Sequence, residues 1–286
     1  MDKKLKQENP GNTMTGVVHV SAGIIERSDG SYLMTCRSQS QSHPGFWEFP
    51  GGKQELEEDH FGALVRELQE EIGIRVRKAY PVITKQLCSD GVDMVIRFWR
   101  VTDWENDPRS LEGQELFWQC RTVPVKVGPL LEANISIVHI LSRPHVTIIL
   151  DKEIDVGSVQ KVLSKLETTH QVFVTTKTSH SIEELREKLN CPVIGDTPNG
   201  TKKGNYYTSY HWLDPSTENL STPDIYGAWP ENPNHDYCFL FTARTTETLT
   251  LPFAYYLPSP SLKTTELEKA WEMGAWGIYT SIHSLL

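Results

Sequence analysis

Residues 46–74 read FWEFPGGKQELEEDHFGALVRELQEEIGI, and this stretch decides the fold of the first half of the chain. The proline and two glycines at 50–52 predict a loop, because these residues interrupt strands. Glycine also lets the main chain approach a phosphate or a metal closely. From about Asp59, apolar residues recur at steps of three and four, which predicts an amphipathic helix that ends at Gly73.

Acidic residues of this helix form a candidate metal site. Glu67, Glu70 and Glu71 stand at i, i+3 and i+4, so their carboxylates share one face, and Glu58 lies at or just before the first turn. Clustered carboxylates resist full ionisation when left alone. A hard divalent cation such as Mg²⁺ removes that repulsion and is often shared with substrate phosphates. Arg66 can orient a carboxylate through a bidentate pair. The alternative is an acidic helix with a solvated face.

From Gly52 to Ile74 the chain follows the pattern G-x5-E-x7-R-E-U-x-E-E-x-G-U, in which U is aliphatic. This pattern is the box of the Nudix hydrolases, which the chain therefore resembles. The resemblance implies hydrolysis of a diphosphate linkage that depends on a divalent metal. Mg²⁺ is the expected cofactor, with Mn²⁺ as the alternative.

Strand patterns surround the box. Apolar runs predict strands at 16–25, 32–37, 79–88, 92–101 and 116–119, and a second helix at 129–141. Mixed strands with one helix on each face predict an α/β/α sandwich with a mixed sheet. The Nudix resemblance implies the same α/β fold.

Three features narrow the resemblance to the MutT-like Nudix enzymes. They are WEFPGGK at 47–53, EGQ at 112–114 followed by Trp118, and LLxANxxI at 130–137. Together they cover about residues 15–142. MutT enzymes hydrolyse 8-oxo-dGTP to 8-oxo-dGMP and pyrophosphate, so the resemblance implies a nucleoside triphosphate substrate. Other substrates of Nudix enzymes remain an alternative, because the box sets the chemistry and not the nucleoside.

The MutT resemblance and the acidic cluster together assign the expected metal ligands, which are Gly52, Glu58, Glu67, Glu70, Glu71 and Glu112. Of these we expect Glu67, Glu70 and Glu112 to carry catalysis. Glu67 or Glu112 is the expected general base, and the residues alone do not choose between them. Glu112 could also be an ordinary loop carboxylate.

Arg37, Phe49 and Asn134 are the nucleotide-binding residues that the resemblance implies. Arg37 would contact the nucleotide, Phe49 would lie in the base pocket, and Asn134 would read the purine edge with its amide donor and acceptor. Each has a structural alternative: a surface strand position for Arg37, core packing for Phe49 and an N-cap for Asn134. The turn at 89–91 lacks the arginine that MutT carries before its long strand.

Composition limits the class of protein. A length of 286 residues allows two domains. The net charge of -9 argues against direct nucleic-acid binding but not against a nucleotide whose charge a metal offsets. No apolar run is long enough to cross a membrane. Five scattered cysteines without a CxxC pair predict reduced thiols in a cytoplasmic protein. We expect a disordered lead-in at 1–14, and the oligomeric state stays open between monomer and homodimer.

The second half of the chain has a different sequence pattern. Alternating short strands and helices predict βα repeats around a parallel sheet, as in part of a TIM barrel. Residues 264–279 resemble the last helix and strand of thiamine phosphate synthase. Pro258 and Pro260 stand where that family has a glycine-rich phosphate loop, and 144–286 is shorter than the roughly 200 residues of a full barrel.

We therefore expect a Nudix domain at 15–143 and a degenerate, non-catalytic domain at 144–286. The alternative is a second domain that binds a ligand beside a nucleotide-sensing first domain. The turn-rich residues 195–204 predict a surface loop.

Overall fold

The computed structural model describes residues 16–89, 91–121, 125–150, 152–166, 170–174, 182–189, 191, 193–195, 201–203, 206–213, 235–241, 254–259 and 261–286. The lead-in expected at 1–14 lies outside them. The free thiols in the described part of the chain are Cys36, Cys88, Cys120 and Cys191. No helix of the described residues is both long and apolar enough to span a membrane.

The first half is built from seven strands and two helices in its described residues. They are β1 (Val18–Ile25), β2 (Tyr32–Cys36), β3 (Trp47–Glu48), β4 (Gly51–Lys53), α1 (His60–Ile72), β5 (Arg75–Ser89), β6 (Val92–Glu105), β7 (Glu115–Gln119) and α2 (Glu132–Leu141). One sheet has the order β4-β1-β6-β5, in which β1 and β6 run parallel and the other pairs antiparallel. A smaller antiparallel sheet has the order β3-β2-β7. The predicted mixed sheet is confirmed.

The two helices cover opposite faces of the four-stranded sheet. Leu64 and Leu68 of α1 pack in one buried cluster with Ile25 of β1. Ile137 of α2 packs in another buried cluster with Ile24 of β1. Because neighbouring residues of a strand point to opposite faces, the two clusters lie on the two sides of the sheet. The two helices and the sheet between them therefore form the predicted α/β/α sandwich.

Helix α1 begins and ends where the sequence predicts. Asp59 caps its first turn by accepting a hydrogen bond from the N–H of Gly62 at 2.6 Å. Gly73 ends it in the left-handed conformation, with φ of 72°. Between these caps the buried residues fall at helical spacing: Ala63, Leu64, Leu68 and Ile72. The helix thus presents one apolar stripe to the sheet and carries its carboxylates beside that stripe.

The prediction of a loop at 50–52 is wrong at the two glycines, because they begin strand β4. Gly51 pairs with Ala22 and Gly52 with Ser21 in an antiparallel ladder. Gly51 has φ of 143°, and a Cβ there would lie 2.1 Å from the carbonyl oxygen of Ser21. Glycine permits both this torsion and this approach, so the chain re-enters the sheet directly after Pro50.

The second half contributes one eight-stranded sheet with the order β10-β9-β8-β15-β14-β13-β12-β11. Its elements are β8 (Val146–Leu150), α3 (Val156–Leu163), β9 (His170–Val174), α4 (Ile182–Lys188), β10 (Val193–Gly195), β11 (Thr201–Lys203), β12 (Tyr206–Leu213), β13 (His235–Phe241), β14 (Ala254–Pro258), α5 (Thr264–Glu272) and β15 (Gly277–Ser281). Neighbouring strands run parallel except β11 and β12.

Two sequence predictions for this half have different outcomes. The βα repeat stays a prediction, because the connections at 175–181, 214–234 and 242–253 lie outside the described residues. The surface loop predicted at 195–204 is wrong at 201–203, where strand β11 forms an antiparallel pair with β12. That pairing depends on residues further along the chain, so local turn chemistry does not reveal it.

A buried charged cluster joins the two halves. The carboxylate of Glu26 lies 3.2 Å from Nε of Arg100 and also pairs with Arg121. The guanidinium carbon of Arg100 lies 4.6 Å from the ring centroid of Trp271 and 4.4 Å from that of Trp276. Arg100 is 1% exposed, and burial lowers its pKa to about 10, so it stays charged at neutral pH. Its cation therefore needs both the carboxylate and the aromatic faces.

Replacing Glu26 by Gln tests this cluster, because it removes the only negative charge that the two arginines share within the cluster. We expect Glu26→Gln to lower the free energy of unfolding by about 3–5 kcal/mol, the cost of leaving a buried charge without its partner. Glu105→Gln is the control, because Glu105 pairs with two exposed arginines of β5. That change should cost less than about 1 kcal/mol. Urea unfolding measures both, and equal losses would contradict the account.

Replacing Gly51 by Ala tests the close approach of β4. We expect Gly51→Ala to lower the free energy of unfolding by about 3 kcal/mol or more, since backbone strain and overpacking add. Gly45 also has positive φ, at 83°, but nothing lies within 4 Å of a Cβ there. Gly45→Ala should therefore cost only about 1–2 kcal/mol, the strain alone. Similar losses in the two variants would show that contact with β1 is unimportant.

Candidate active site

Arg66 of α1 organises the acidic residues of the box. Its Nε donates to Oε1 of Glu58 at 3.0 Å and its Nη2 to Oε2 at 2.9 Å, which is the predicted bidentate pair. Its Nη1 lies 3.0 Å from Glu67 and 3.1 Å from Glu70. Nη2 also donates to the carbonyl of Lys53 at 2.9 Å. One guanidinium thus ties the helix to the strand and loop before it, while Glu70 remains 55% exposed.

Glu71 lies deepest among the helix carboxylates. Its Oε2 accepts a hydrogen bond from the N–H of Gly51 at 2.9 Å. Burial is the largest cause that raises the pKa of Glu71 to about 8, and the negative charges of Glu48, Glu67 and Glu112 contribute to the same rise, while the hydrogen bond from Gly51 opposes it. Burial also raises the pKa of Glu67. These carboxylates crowd one partly buried place, where a cation would lower their repulsion.

Gly52 lets the main chain run directly beside the Glu67 carboxylate. A Cβ at Gly52 would lie 2.3–2.5 Å from the carboxyl atoms of Glu67, closer than any side chain allows. The two glycines of the box therefore have different partners: Gly51 binds Glu71 and Gly52 adjoins Glu67. Any larger residue at Gly52 would push Glu67 away.

The residues fit a hard divalent cation by their chemistry. In the described parts of the chain, no three His, Cys, Asp or Glu side chains already converge as a metal-binding group. Yet Glu67 and Glu71 are oxygen donors with raised pKa values beside a glycine main chain, and oxygen is what Mg²⁺ and Mn²⁺ prefer. These two carboxylates could hold such an ion, together with Glu112, whose negative charge also raises their pKa values.

The EGQ turn is fastened to the end of α1. Gln114 accepts the backbone N–H of Glu112 through Oε1 at 3.0 Å and donates Nε2 to the carbonyl of Glu71 at 3.2 Å. The backbone N–H of Leu111 also donates to that carbonyl, at 2.9 Å. The turn therefore brings Glu112, which is far away in sequence, within electrostatic reach of the box.

The guanidinium of Arg37 is hydrogen-bonded to neighbouring residues. Its Nη1 donates to both carboxylate oxygens of Glu48, at 2.8 and 2.9 Å, and its Nε to the carbonyl of Ser42. Burial raises the pKa of Glu48, which also repels Glu71. Glu48 was not among the site residues predicted from the sequence. The available signal was its position between two core aromatics, which turns its side chain to the other face of the strand.

Phe49 and Asn134 are brought together. Phe49 is 2% exposed, and its ring centroid lies 5.8 Å from that of Tyr32 and 6.0 Å from that of Phe98. Asn134 is 5% exposed, and its Oδ1 accepts the N–H of Phe49 at 3.3 Å. The N-cap alternative for Asn134 is wrong, because Leu131 occupies that position. Phe49 is core, as its structural alternative stated.

Comparison with known proteins supports the same class. Residues 17–136 match the model of the NUDIX domain. The CTP pyrophosphohydrolase of Escherichia coli (strain K12) is 36% identical over 122 residues, which are 43% of this chain and 89% of that protein. The 8-oxo-dGTP diphosphatase of Haemophilus influenzae is 34% identical over 130 residues, 45% of this chain and 95% of that protein.

A third relative, the 8-oxo-dGTP diphosphatase of Proteus vulgaris, is 36% identical over 96 residues, 34% of this chain and 86% of that protein. Each relative is matched over most of its own length but over less than half of this chain. The likeness of 264–279 to thiamine phosphate synthase is supported by none of these matches and stays a prediction. For the first half, the box, the mixed α/β fold and the relatives agree, and the chain belongs to the Nudix family of hydrolases.

Proposed function

We propose that this Nudix hydrolase cleaves a nucleoside triphosphate to the monophosphate and pyrophosphate, with 8-oxo-dGTP as its substrate. One observation carries the proposal: the carboxylates of Glu67 and Glu71 crowd against the main chain of the two box glycines. Such a site suits a divalent cation shared with phosphates. Two of the relatives described above are 8-oxo-dGTP diphosphatases.

The proposed metal ligands are Gly52, Glu58, Glu67, Glu70, Glu71 and Glu112. A bound Mg²⁺ or Mn²⁺ would polarise the phosphoryl oxygens and lower the pKa of a bound water. Residues of the chain itself orient these carboxylates. Arg66 holds Glu58, Glu67 and Glu70 in fixed positions, and the N–H of Gly51 fixes Glu71.

Glu67 or Glu112 is the proposed general base, and Glu70 completes the catalytic set. Glu67 adjoins the main chain at Gly52, so it is near the proposed ion and any water beside it. Glu112 stands in a turn that Gln114 fastens to α1. Either carboxylate could accept the proton of the attacking water at this edge of the sheet.

Asn134, Phe49 and Arg37 are the proposed nucleotide-binding residues. The Oδ1 atom of Asn134 is engaged by the N–H of Phe49, so its NH₂ group is the part that can donate to a base. The ring of Phe49 supports this pocket from the core. Glu48 holds the Arg37 guanidinium in one orientation, which lowers the entropy lost when a phosphate or sugar binds it.

A pyrimidine nucleoside triphosphate is the second candidate substrate. The observation that favours it is the 36% identity to a CTP pyrophosphohydrolase. We also propose that the division at 143/144 separates the catalytic half from a non-catalytic half. The alternative for the second half is ligand binding.

Replacing Glu67 by Gln tests the catalytic site. Glu67→Gln keeps the shape of the side chain and removes its charge, so we expect kcat/KM for 8-oxo-dGTP with Mg²⁺ to fall by about 10²–10⁴-fold. Glu57→Gln is the matched control, because Glu57 is an exposed carboxylate of the loop that precedes α1, and it should keep wild-type activity. Circular dichroism checks the fold of both. Wild-type turnover by Glu67→Gln would contradict the proposed site.

Replacing Asn134 by Ala tests base recognition. We expect Asn134→Ala to lower the ratio of kcat/KM for 8-oxo-dGTP to that for dGTP by about 5–10-fold, the value of one hydrogen bond. CTP in the same assay shows whether the pocket favours a pyrimidine. Glu132→Ala, on the exposed side of the same helix, is the control. An unchanged ratio in Asn134→Ala would rule out base reading by this residue.

A further inference from the structure

Four buried polar atoms on the α1 side of the four-stranded sheet have no hydrogen-bond partner among the described residues. They are Nδ1 of His60, Oγ1 of Thr84, Nε of Arg97 and Nε1 of Trp99. Buried polar groups are nearly always bonded, and each one left without a partner costs about 1–3 kcal/mol. Three of the four atoms are donors in every ordinary protonation state, so a group that accepts hydrogen bonds would satisfy them.

The register places these residues side by side. Thr84 of β5 is directly opposite Arg97 of β6, and Arg97 is opposite Ser21 of β1. Trp99 is two residues along the same strand and therefore shares the face of Arg97. The hydroxyl of Ser21 donates to the carbonyl of His60 at 2.6 Å, which brings the start of α1 onto this row. The four atoms thus belong to one region under the first turn of α1.

Arg97 brings a positive charge into this region. No ion pair involves Arg97 in the described part of the chain, and burial lowers its pKa. The pKa of His60 is lowered by burial first and then by the positive charges of Arg97 and His19, whose ring centroid lies 5.3 Å away. Asp59 is the nearby acid, but its carboxylate caps α1 through the N–H of Gly62.

We propose that Arg97, Thr84 and His60, with His19 at the rim, form an oxyanion subsite that takes a phosphate group. A phosphate would give Arg97 a negatively charged partner. It also has several strong acceptor oxygens for the neighbouring donors. The subsite differs from the acidic metal site. Gly52, Ser21 and Arg97 are successive partners across three strands, so the two places are about 10 Å apart, two interstrand spacings.

The phosphate could come from two sources. It could be free inorganic phosphate or pyrophosphate, or it could be a phosphate of the nucleotide whose cleaved linkage lies at the box. Both share the chemistry that the donors recognise. The subsite does not rest on the proposed hydrolysis, because binding to these side chains needs no turnover.

The test is anion binding by the full-length protein in EDTA, so that no divalent cation can hold the anion at the carboxylates. Inorganic phosphate and pyrophosphate should each raise the Tm of the wild type by a few degrees at constant ionic strength. By calorimetry, Arg97→Gln should bind at least about tenfold more weakly, since a hydrogen bond to a charged group exceeds one tenfold step. Thr84→Val, which suits a strand, should bind about 2–10-fold more weakly.

Arg77→Gln is the matched control. Arg77 is an exposed arginine on strand β5 that pairs with Glu105, so its loss removes one positive charge from the same sheet but not from the subsite. This variant should bind phosphate as the wild type does. If Arg97→Gln fails to fold, Thr84→Val decides the matter, because it keeps the charge and the packing of the strand.

Two outcomes would overturn the proposal. The first is a wild type whose Tm and calorimetric heat do not respond to either anion. The second is wild-type affinity in both Arg97→Gln and Thr84→Val, which would mean that water satisfies the four atoms. Loss of binding with a raised KM for the nucleotide would assign the subsite to a substrate phosphate. Loss of binding with an unchanged KM would assign it to free phosphate, and both results support the subsite.

Discussion

The structure of the first half depends on a main chain that passes, without side chains, between strand β1 and helix α1. At Gly51 a side chain would collide with the carbonyl of Ser21, and at Gly52 it would collide with Glu67. The N–H of Gly51 also binds Glu71. Gly51 therefore permits the close approach of β4 to β1, and Gly52 permits the close approach of β4 to the Glu67 carboxylate of α1. The same close packing that orders the fold concentrates negative charge where a cation would stabilise it.

A second constraint connects this Nudix half to the rest of the chain. The predicted boundary at 143/144 divides two sequence textures, but buried contacts cross it. Arg100 of the central strand lies between Glu26 and two tryptophans of the second half, Trp271 and Trp276. Trp276 also belongs to the buried cluster that contains residues of α2. The second half therefore packs against the four-stranded sheet of the first half and helps to hold it in place.

Local patterns were enough to predict helix α1, its end at Gly73 and the carboxylates on its face, because helix periodicity and capping act within a few residues. Features that depend on distant partners were not predictable in this way. Strand β4 needs the approach of β1, and the pair of Arg37 with Glu48 needs two strands in register. The strand at 201–203, predicted as loop, exists through pairing with β12. The buried cation of Arg100 reads in sequence as one more polar residue of an alternating strand.

The proposed reaction is hydrolysis of a nucleoside triphosphate to a monophosphate and pyrophosphate with a divalent cation. The direct measurement is product analysis for 8-oxo-dGTP, dGTP and CTP with Mg²⁺, with Mn²⁺ and with EDTA. We expect monophosphate and pyrophosphate in equal amounts with either metal, the highest kcat/KM for 8-oxo-dGTP, and no turnover in EDTA. Release of inorganic phosphate and a nucleoside diphosphate, or turnover that persists in EDTA, would contradict it.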